Sequence, residues 1–258
     1  MKVVILAGGF GSRISEESHR IPKPMIEIGD KPILWHIMKL YSHYGFHDFI
    51  ICLGYKQYVV KEYFADYYLH NSDVVFDLAE NRMETLDNHS EPWRVTLVDT
   101  GLYTMTGGRI KRIQNLIGNE TFLMSYGDGV SDVDIGRLIA HHKERGKIVT
   151  LTSVKFPESK GTLELNEAGD VTAFREKEEQ DGEIINGGFM VMEPEIFNYL
   201  DGDDCVLEKG PIQKLAAEGQ LASYRHEGFW QCMDTQREKK LLEELWETGH
   251  APWKVWDR

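Results

Sequence analysis

The stretch Val3-Val4-Ile5-Leu6-Ala7-Gly8-Gly9-Phe10-Gly11-Ser12-Arg13 decides the fold. Its first part, Val3 to Ala7, is an unbroken apolar run, which suits a strand buried on both faces, as parallel strands are. Glycines follow at once. Lacking a Cβ, they let backbone N–H groups turn toward an anion, and Arg13 adds positive charge at the end of the turn. The expected element is a buried first strand that opens into a phosphate-binding loop. Neither standard phosphate fingerprint matches. G-x-G-x-x-G begun at Gly9 meets Ile14 where its last glycine belongs, and the Gly-Lys-Ser/Thr of Walker A is absent. A tight turn without a ligand is the competing reading. Strand, glycines and arginine together favour the phosphate.

Outward from this stretch, apolar runs and helical patterns alternate. Ile33 to Tyr44 has helical spacing and stops at Gly45. Phe49 to Leu53 reads as a strand, Val59 to Tyr67 as a helix, and 70–92 as a polar, irregular long loop. Val95–Val98 and Thr121–Tyr126 read as strands, with a helix between them carrying Ile110, Ile113 and Ile117. Val133–Arg145 is an expected helix with Asp132 as its N-cap, followed by a strand over Ile148–Val154. This alternation predicts an α/β fold, a Rossmann-like mostly parallel mixed sheet flanked by helices. The second part changes character. Thr162–Leu165, Val171–Arg175 and Ile184–Met192 read as strands joined by short turns, hence a smaller antiparallel portion. Helices are expected around Val206–Glu218 and Thr235–Glu247. We read one domain over 1–258, with two functional halves (about 1–127 and about 128–258).

Composition narrows the partners. Of 258 residues, 29 are Lys or Arg and 42 are Asp or Glu, so the formal net charge is −13. An acidic surface argues against nucleic acid and anionic membranes, which need a broad basic face. It leaves room for a small phosphate ligand, which needs only local cations. No apolar run reaches the ~18 residues of a membrane span. Cys52, Cys205 and Cys232 are far apart and form no C-x-x-C, so neither a disulfide framework nor zinc is expected, and reduced thiols fit a cytoplasmic protein.

Ligands of open α/β sheets sit outside the carboxyl ends of strands, which ranks the remaining motifs. Pro22-Lys23-Pro24 mounts one cation on a stiff backbone. Gly127-Asp128-Gly129 follows the Thr121–Tyr126 strand. Asp234 comes after Phe229-Trp230, where a helix cap is its bland alternative. Two separate aspartates plus phosphate oxygens fit what Mg²⁺ takes. Asn186-Gly187-Gly188 offers a short amide for a hydroxyl, with a strand bulge as the alternative. Gly161 is a further place where a glycine permits close approach. Trp230 is a candidate site wall, and Trp246, Trp253 and Trp256 are candidates for core packing or a subunit contact.

Leu-Ala-Gly-Gly-x-Gly-Ser-Arg at 6–13, followed by Lys23 between prolines, resembles the sugar-1-phosphate nucleotidyltransferase family. Lys31 to Met38, Ala79 to Glu84, Val98 to Gly101, Thr106 to Arg109, Tyr126 to Gly129, Asn186 to Phe189, Gly228 to Thr235 and Ala251 to Lys254 extend the likeness over nearly the whole chain, toward the branch that uses CTP. The resemblance implies the nucleotide-diphospho-sugar transferase fold, Mg²⁺ as cofactor, and CTP and α-D-glucose 1-phosphate as partners, giving CDP-glucose and pyrophosphate. It also suggests a homo-oligomer. Residue by residue it implies that Leu6, Ala7, Gly8, Gly9, Phe10, Gly11, Ser12 and Arg13 cradle the nucleotide phosphates, with Gly127 beside them. Arg13 and Lys23 would touch the phosphates. Thr104 and Arg109 would lie in a loop that helps set the base, and Asp128 and Asp234 would hold the metal. On the sugar side it implies Glu176 and Lys177, with Asn186 and Gly187 nearby. Glu178 stands where similar enzymes carry Pro. Another base or sugar phosphate, or a non-catalytic binding protein, are the competing functions.

Overall fold

The computed structural model describes residues 1–11, 14, 19–156, 162–165, 171–175 and 183–257. Seven strands make the main sheet: β1 (Val3–Ala7), β2 (Asp48–Leu53), β3 (Arg94–Asp99), β4 (Phe122–Tyr126), β5 (Val149–Phe156), β6 (Glu183–Met192) and β7 (Leu221–His226). Their spatial order is β7-β5-β6-β4-β1-β2-β3. β1 pairs in parallel with β2 and β4, and β2 with β3. β6 is the antiparallel member, set between β5 and β4. The chain therefore steps outward from β1 to β3, then returns to the other side of β1 as β4. Strand order reverses between β1 and β4, and a ligand crevice belongs at their carboxyl ends.

The period of two along a strand explains why β1 has no polar position. Val3, Ile5 and Ala7 pack to one side with Ile37 and Tyr41, while Val4 and Leu6 pack to the other with Ile110 and Ile113. Both faces are covered, so a polar residue on either would be buried without a partner. The first cover is α1 (Ile33–His43), which ends as expected before Gly45 at φ +84. The second is α3 (Thr106–Arg112); α2 (Gln57–Ala65) lies between them in the chain.

Several expected elements shift. The Ile110–Ile117 helix divides into α3 and a turn of helix at Gln114–Ile117. The Val59–Tyr67 helix likewise becomes α2 followed by a turn at Tyr67–His70. The next helix, α4, is Ile135–Arg145, and its cap is Asp134, whose carboxylate accepts from Arg137 N at 2.9 Å. Asp132 instead accepts from Phe229 N at 2.7 Å, so it holds a loop rather than a helix end. The Val206–Glu218 helix shortens to α5 (Pro211–Ala217), because Pro211 is suited to the first helical turn and not to an interior. The 70–92 region is not a loop. Ser72–Asp77 and Arg82–Asn88 form an antiparallel hairpin with Asn81 at φ +49 in its turn. Val75, Phe76 and Leu86 on it are exposed, so no buried face imposed an alternating pattern on the sequence. Thr162–Leu165 and Val171–Arg175 pair antiparallel, as expected.

The last helix, α6 (Gln236–Glu247), and the tail after it close over α1. Trp253 is buried, and its indole lies 6.1 Å from the His36 ring, with Trp246 at 4.6 Å and Trp256 at 6.3 Å. The C-terminal tryptophans thus serve packing. No helix among the described residues is long and apolar enough to cross a membrane.

Candidate active site

A cavity of about 1060 Å³ opens at the carboxyl ends of β1 and β4. The glycine loop from Leu6 to Gly11 lines it, together with Lys23, Thr104, Gly127, Asp128, Asn186 and Asp234. Gly11 has φ +64, a left-handed conformation that favours glycine. Gly127 lies so close to β1 that a Cβ there would sit 2.9 Å from Leu6 O. Its own N–H donates to that oxygen at 3.0 Å. The two strand ends are thereby locked side by side.

A short ladder builds the centre. Gly129–Ser131 pairs antiparallel with Trp230–Cys232, Gly129 opposite Cys232. Met233 N donates to Asp128 O at 2.9 Å. Asp128 lies just outside this ladder and Asp234 two residues beyond its other strand, and both carboxylates reach Lys23, so acids from distant parts of the chain meet. α6 takes Thr235 as its N-cap, in a capping box with Glu238. Asp234 is therefore released from the capping role, and its N–H is instead held by Glu238 Oε2 at 2.7 Å.

Between the carboxylates stands Lys23. It begins the helical turn Lys23–Met25, and Met25 N donates to Pro22 O at 2.8 Å, so its backbone is fixed. Its Nζ lies 2.6 Å from Asp128 Oδ2 and 2.5 Å from Asp234 Oδ1. Burial pulls the lysine pKa down, but Asp128 and Asp234 more than offset it and the net shift is upward. The side chain is a charged ammonium. Two carboxylates that converge on one cation form a donor set that a divalent ion would also fit. No cluster of three or more His, Cys, Asp and Glu that could hold a metal occurs among the described residues. A cation at the pair would take most of its ligands from water and phosphate, as Mg²⁺ does.

Arg109 is on α3 and not in the preceding loop. It is 5% exposed, and its guanidinium donates to Leu53 O (3.0 Å), Thr100 Oγ1 (2.8 Å), Gly101 O (2.8 Å) and Gly8 O (3.0 Å). A Cβ on Gly8 or Gly54 would collide with it. Arg109 braces the loops after β1, β2 and β3 from beneath. Of the residues expected near the sugar, Asn186 accepts on Oδ1 from Gly188 N at 2.9 Å, and Gly187 O accepts from Trp230 Nε1 at 2.7 Å. Trp230 does wall the cavity. Ser12, Arg13, Gly161, Glu176 and Lys177 lie outside the described residues.

Three features escape the sequence reading. Glu208 takes the Tyr126 hydroxyl on one carboxylate oxygen and Thr106 Oγ1 on the other, at 2.8 Å. Phe10, in the glycine loop, packs at a tilt against Tyr55 (5.3 Å) and Tyr103 (6.0 Å). Cys232 packs 3.8 Å from both Asp234 and Glu238, and burial together with the acids around it pushes its thiol up to about 12. Only its nearness in sequence to Asp234 pointed to Cys232; Glu208 and the aromatics carry no local signature.

Comparison with known proteins shows the family and the fold. A family model described as "Nucleotidyl transferase" matches residues 2–236. The glucose-1-phosphate cytidylyltransferase of Salmonella typhi is 55% identical over 258 residues, all of both chains. A UTP–glucose-1-phosphate uridylyltransferase of Synechocystis is 29% identical, over 78% of this chain and 51% of its own. Among solved structures, HddC from Yersinia pseudotuberculosis shares the fold with a TM-score of 0.67 at 22% identity, covering 95% of this chain and 99% of that one.

Proposed function

The chain belongs to the nucleotidyl transferase family, and from that premise we propose that it transfers the cytidylyl group of CTP to α-D-glucose 1-phosphate, giving CDP-glucose and pyrophosphate. The observation that carries this is the meeting of Lys23, Asp128 and Asp234 at the glycine-loop end of the cavity, in a chain alike throughout its length to a cytidylyltransferase.

The chemistry asks little of protein bases. A phosphate monoester has its second pKa near ~6, so the sugar phosphate is largely a dianion at pH 7 and already a nucleophile. The obstacle is repulsion between two anions. Catalysis is then positioning and charge placement. In our reading the Gly8–Gly11 backbone holds the triphosphate, and Lys23, Arg13 and Lys177 supply positive charge. Asn186 and Gly187, with Glu176, orient the sugar, while Thr104 lies on the base side. Asp128 and Asp234 would hold Mg²⁺, which when bound supplies charge neutralisation to phosphate oxygens. Arg109 acts through the loops that it braces. Residues 1–127 form the nucleotide half and 128–258 the sugar half. The exposed Val75, Phe76 and Leu86 support a homo-oligomer, and the free cysteines support a cytoplasmic setting. Light scattering checks the first.

The decisive test is a matrix of four nucleoside triphosphates against several sugar 1-phosphates, scored by pyrophosphate release. CTP with glucose 1-phosphate should lead. Equal release from CTP, UTP and dTTP would sink the cytidylyl assignment.

A further inference from the structure

Lys23 has a second consequence, which rests on the reading of Asp128 and Asp234 as the metal pair. Its ammonium lies 2.6 Å from one carboxylate and 2.5 Å from the other. A divalent ion bound by the same two oxygens would sit about 2.1 Å from each. Both positions lie in the same gap, so the two cations exclude one another there. We propose that Lys23 is the resident counter-ion of the metal seat: in the nucleotide-free protein it occupies the pair, and a divalent cation enters only once the ammonium has left.

The structure supplies the means of leaving. The backbone at Lys23 is held by the Pro22–Met25 turn, so the motion belongs to the side chain alone. A lysine is a point charge on a flexible four-carbon stem with three rotatable donors, suited to exchanging one anion for another. Lys23 lines the same cavity as Gly8, Gly9 and Gly11, so phosphates resting on the glycine loop give the ammonium a new anionic partner. Among the described residues, the two carboxylates against one ammonium leave the pair with a modest net charge. A free hydrated ion would have to displace the ammonium and lose water with nothing to receive the lysine. An ion arriving on the nucleotide brings the lysine its new partner. Metal entry is thereby tied to nucleotide entry. A lysine that merely stiffened the fold would have no such effect on metal affinity.

The test measures Mn²⁺ binding by water-proton relaxation, with no turnover involved. Wild type should bind Mn²⁺ poorly without nucleotide, and well when saturated with CTP in the absence of sugar phosphate. Lys23→Met and Lys23→Gln, which unblock the seat, should bind Mn²⁺ without nucleotide at least about tenfold more tightly than wild type. Adding Asp128→Asn to Lys23→Met should abolish that gain. Near-ultraviolet circular dichroism checks that each variant is folded. Equal nucleotide-free affinity in wild type and the folded variants overturns the exchange. So does tight nucleotide-free binding by wild type alone, an arm that needs no variant. A gain that survives Asp128→Asn also overturns it. If Asp128→Asn leaves the CTP-bound affinity intact, the metal-pair reading itself fails.

Discussion

Glu208 accepts the hydroxyl of Tyr126, and through this one carboxylate the end of β4 is tied to the start of α3, because Thr106 donates to its other oxygen at 2.8 Å. Burial, and then Glu208, hold the Tyr126 phenol protonated by raising its pKa. Removing the hydroxyl in Tyr126→Phe leaves a charged acceptor with one donor fewer. The expected cost is about 1–3 kcal/mol, read as a fall in melting temperature of a few degrees. Thr106→Val should add less than its separate effect when combined with Tyr126→Phe, since both act through Glu208. Full additivity would show that the bonds are independent.

Lys23→Ala and Asp128→Asn should each lower kcat by roughly 10²–10³, the usual result of removing one preorganised charge. Circular dichroism should show the fold retained. Near-wild-type turnover in both would remove them from the centre.

Arg109→Lys keeps the charge but loses the planar fork that reaches Leu53, Thr100, Gly101 and Gly8 together. The loops after β1, β2 and β3 should loosen. Faster amide exchange at 8–11 and 100–104, with a raised KM for CTP, is the expected outcome. Unchanged exchange would mean that the brace is redundant.

Acid should destabilise the C-terminal packing through His36. Its pKa falls from 6.5 to about 4, chiefly by burial. The unfolded chain then binds the proton first, so the stabilisation is whole above 6.5 and is lost as the pH falls toward 4. The difference corresponds to roughly 3 kcal/mol. Tryptophan fluorescence reports it, because Trp246 and Trp253 adjoin the ring. His36→Phe should flatten the melting temperature between pH 7 and 4.5 relative to wild type.

The parts of the fold that bury both faces were legible beforehand. Val3–Ala7 and Ile33–Tyr44 announce themselves because core packing dictates every side chain of the strand and most of those on the helix. The hairpin at Ser72–Asn88 does not, since its strands leave apolar residues in solvent and no alternation is imposed. Asp128 could be placed by its strand end, but Asp234 needed family resemblance. Its neighbour Thr235 with Glu238 supplies the cap that its own position suggested. Arg109 shows a further limit. It lines the cavity, and only the tertiary structure assembles the five carbonyl and hydroxyl partners that also make it a brace. Glu208 was invisible for the same reason, because its partners lie at Tyr126 and Thr106.

The ladder between Gly129–Ser131 and Trp230–Cys232 also sets an order of maturation. On the ribosome, the glycine loop, Lys23 and Asp128 emerge long before Trp230. Until the second strand of the ladder has been made, Lys23 has a single carboxylate and the nascent protein has no pair. The Lys23–Asp128–Asp234 cluster is therefore complete only once the chain has been made through Asp234.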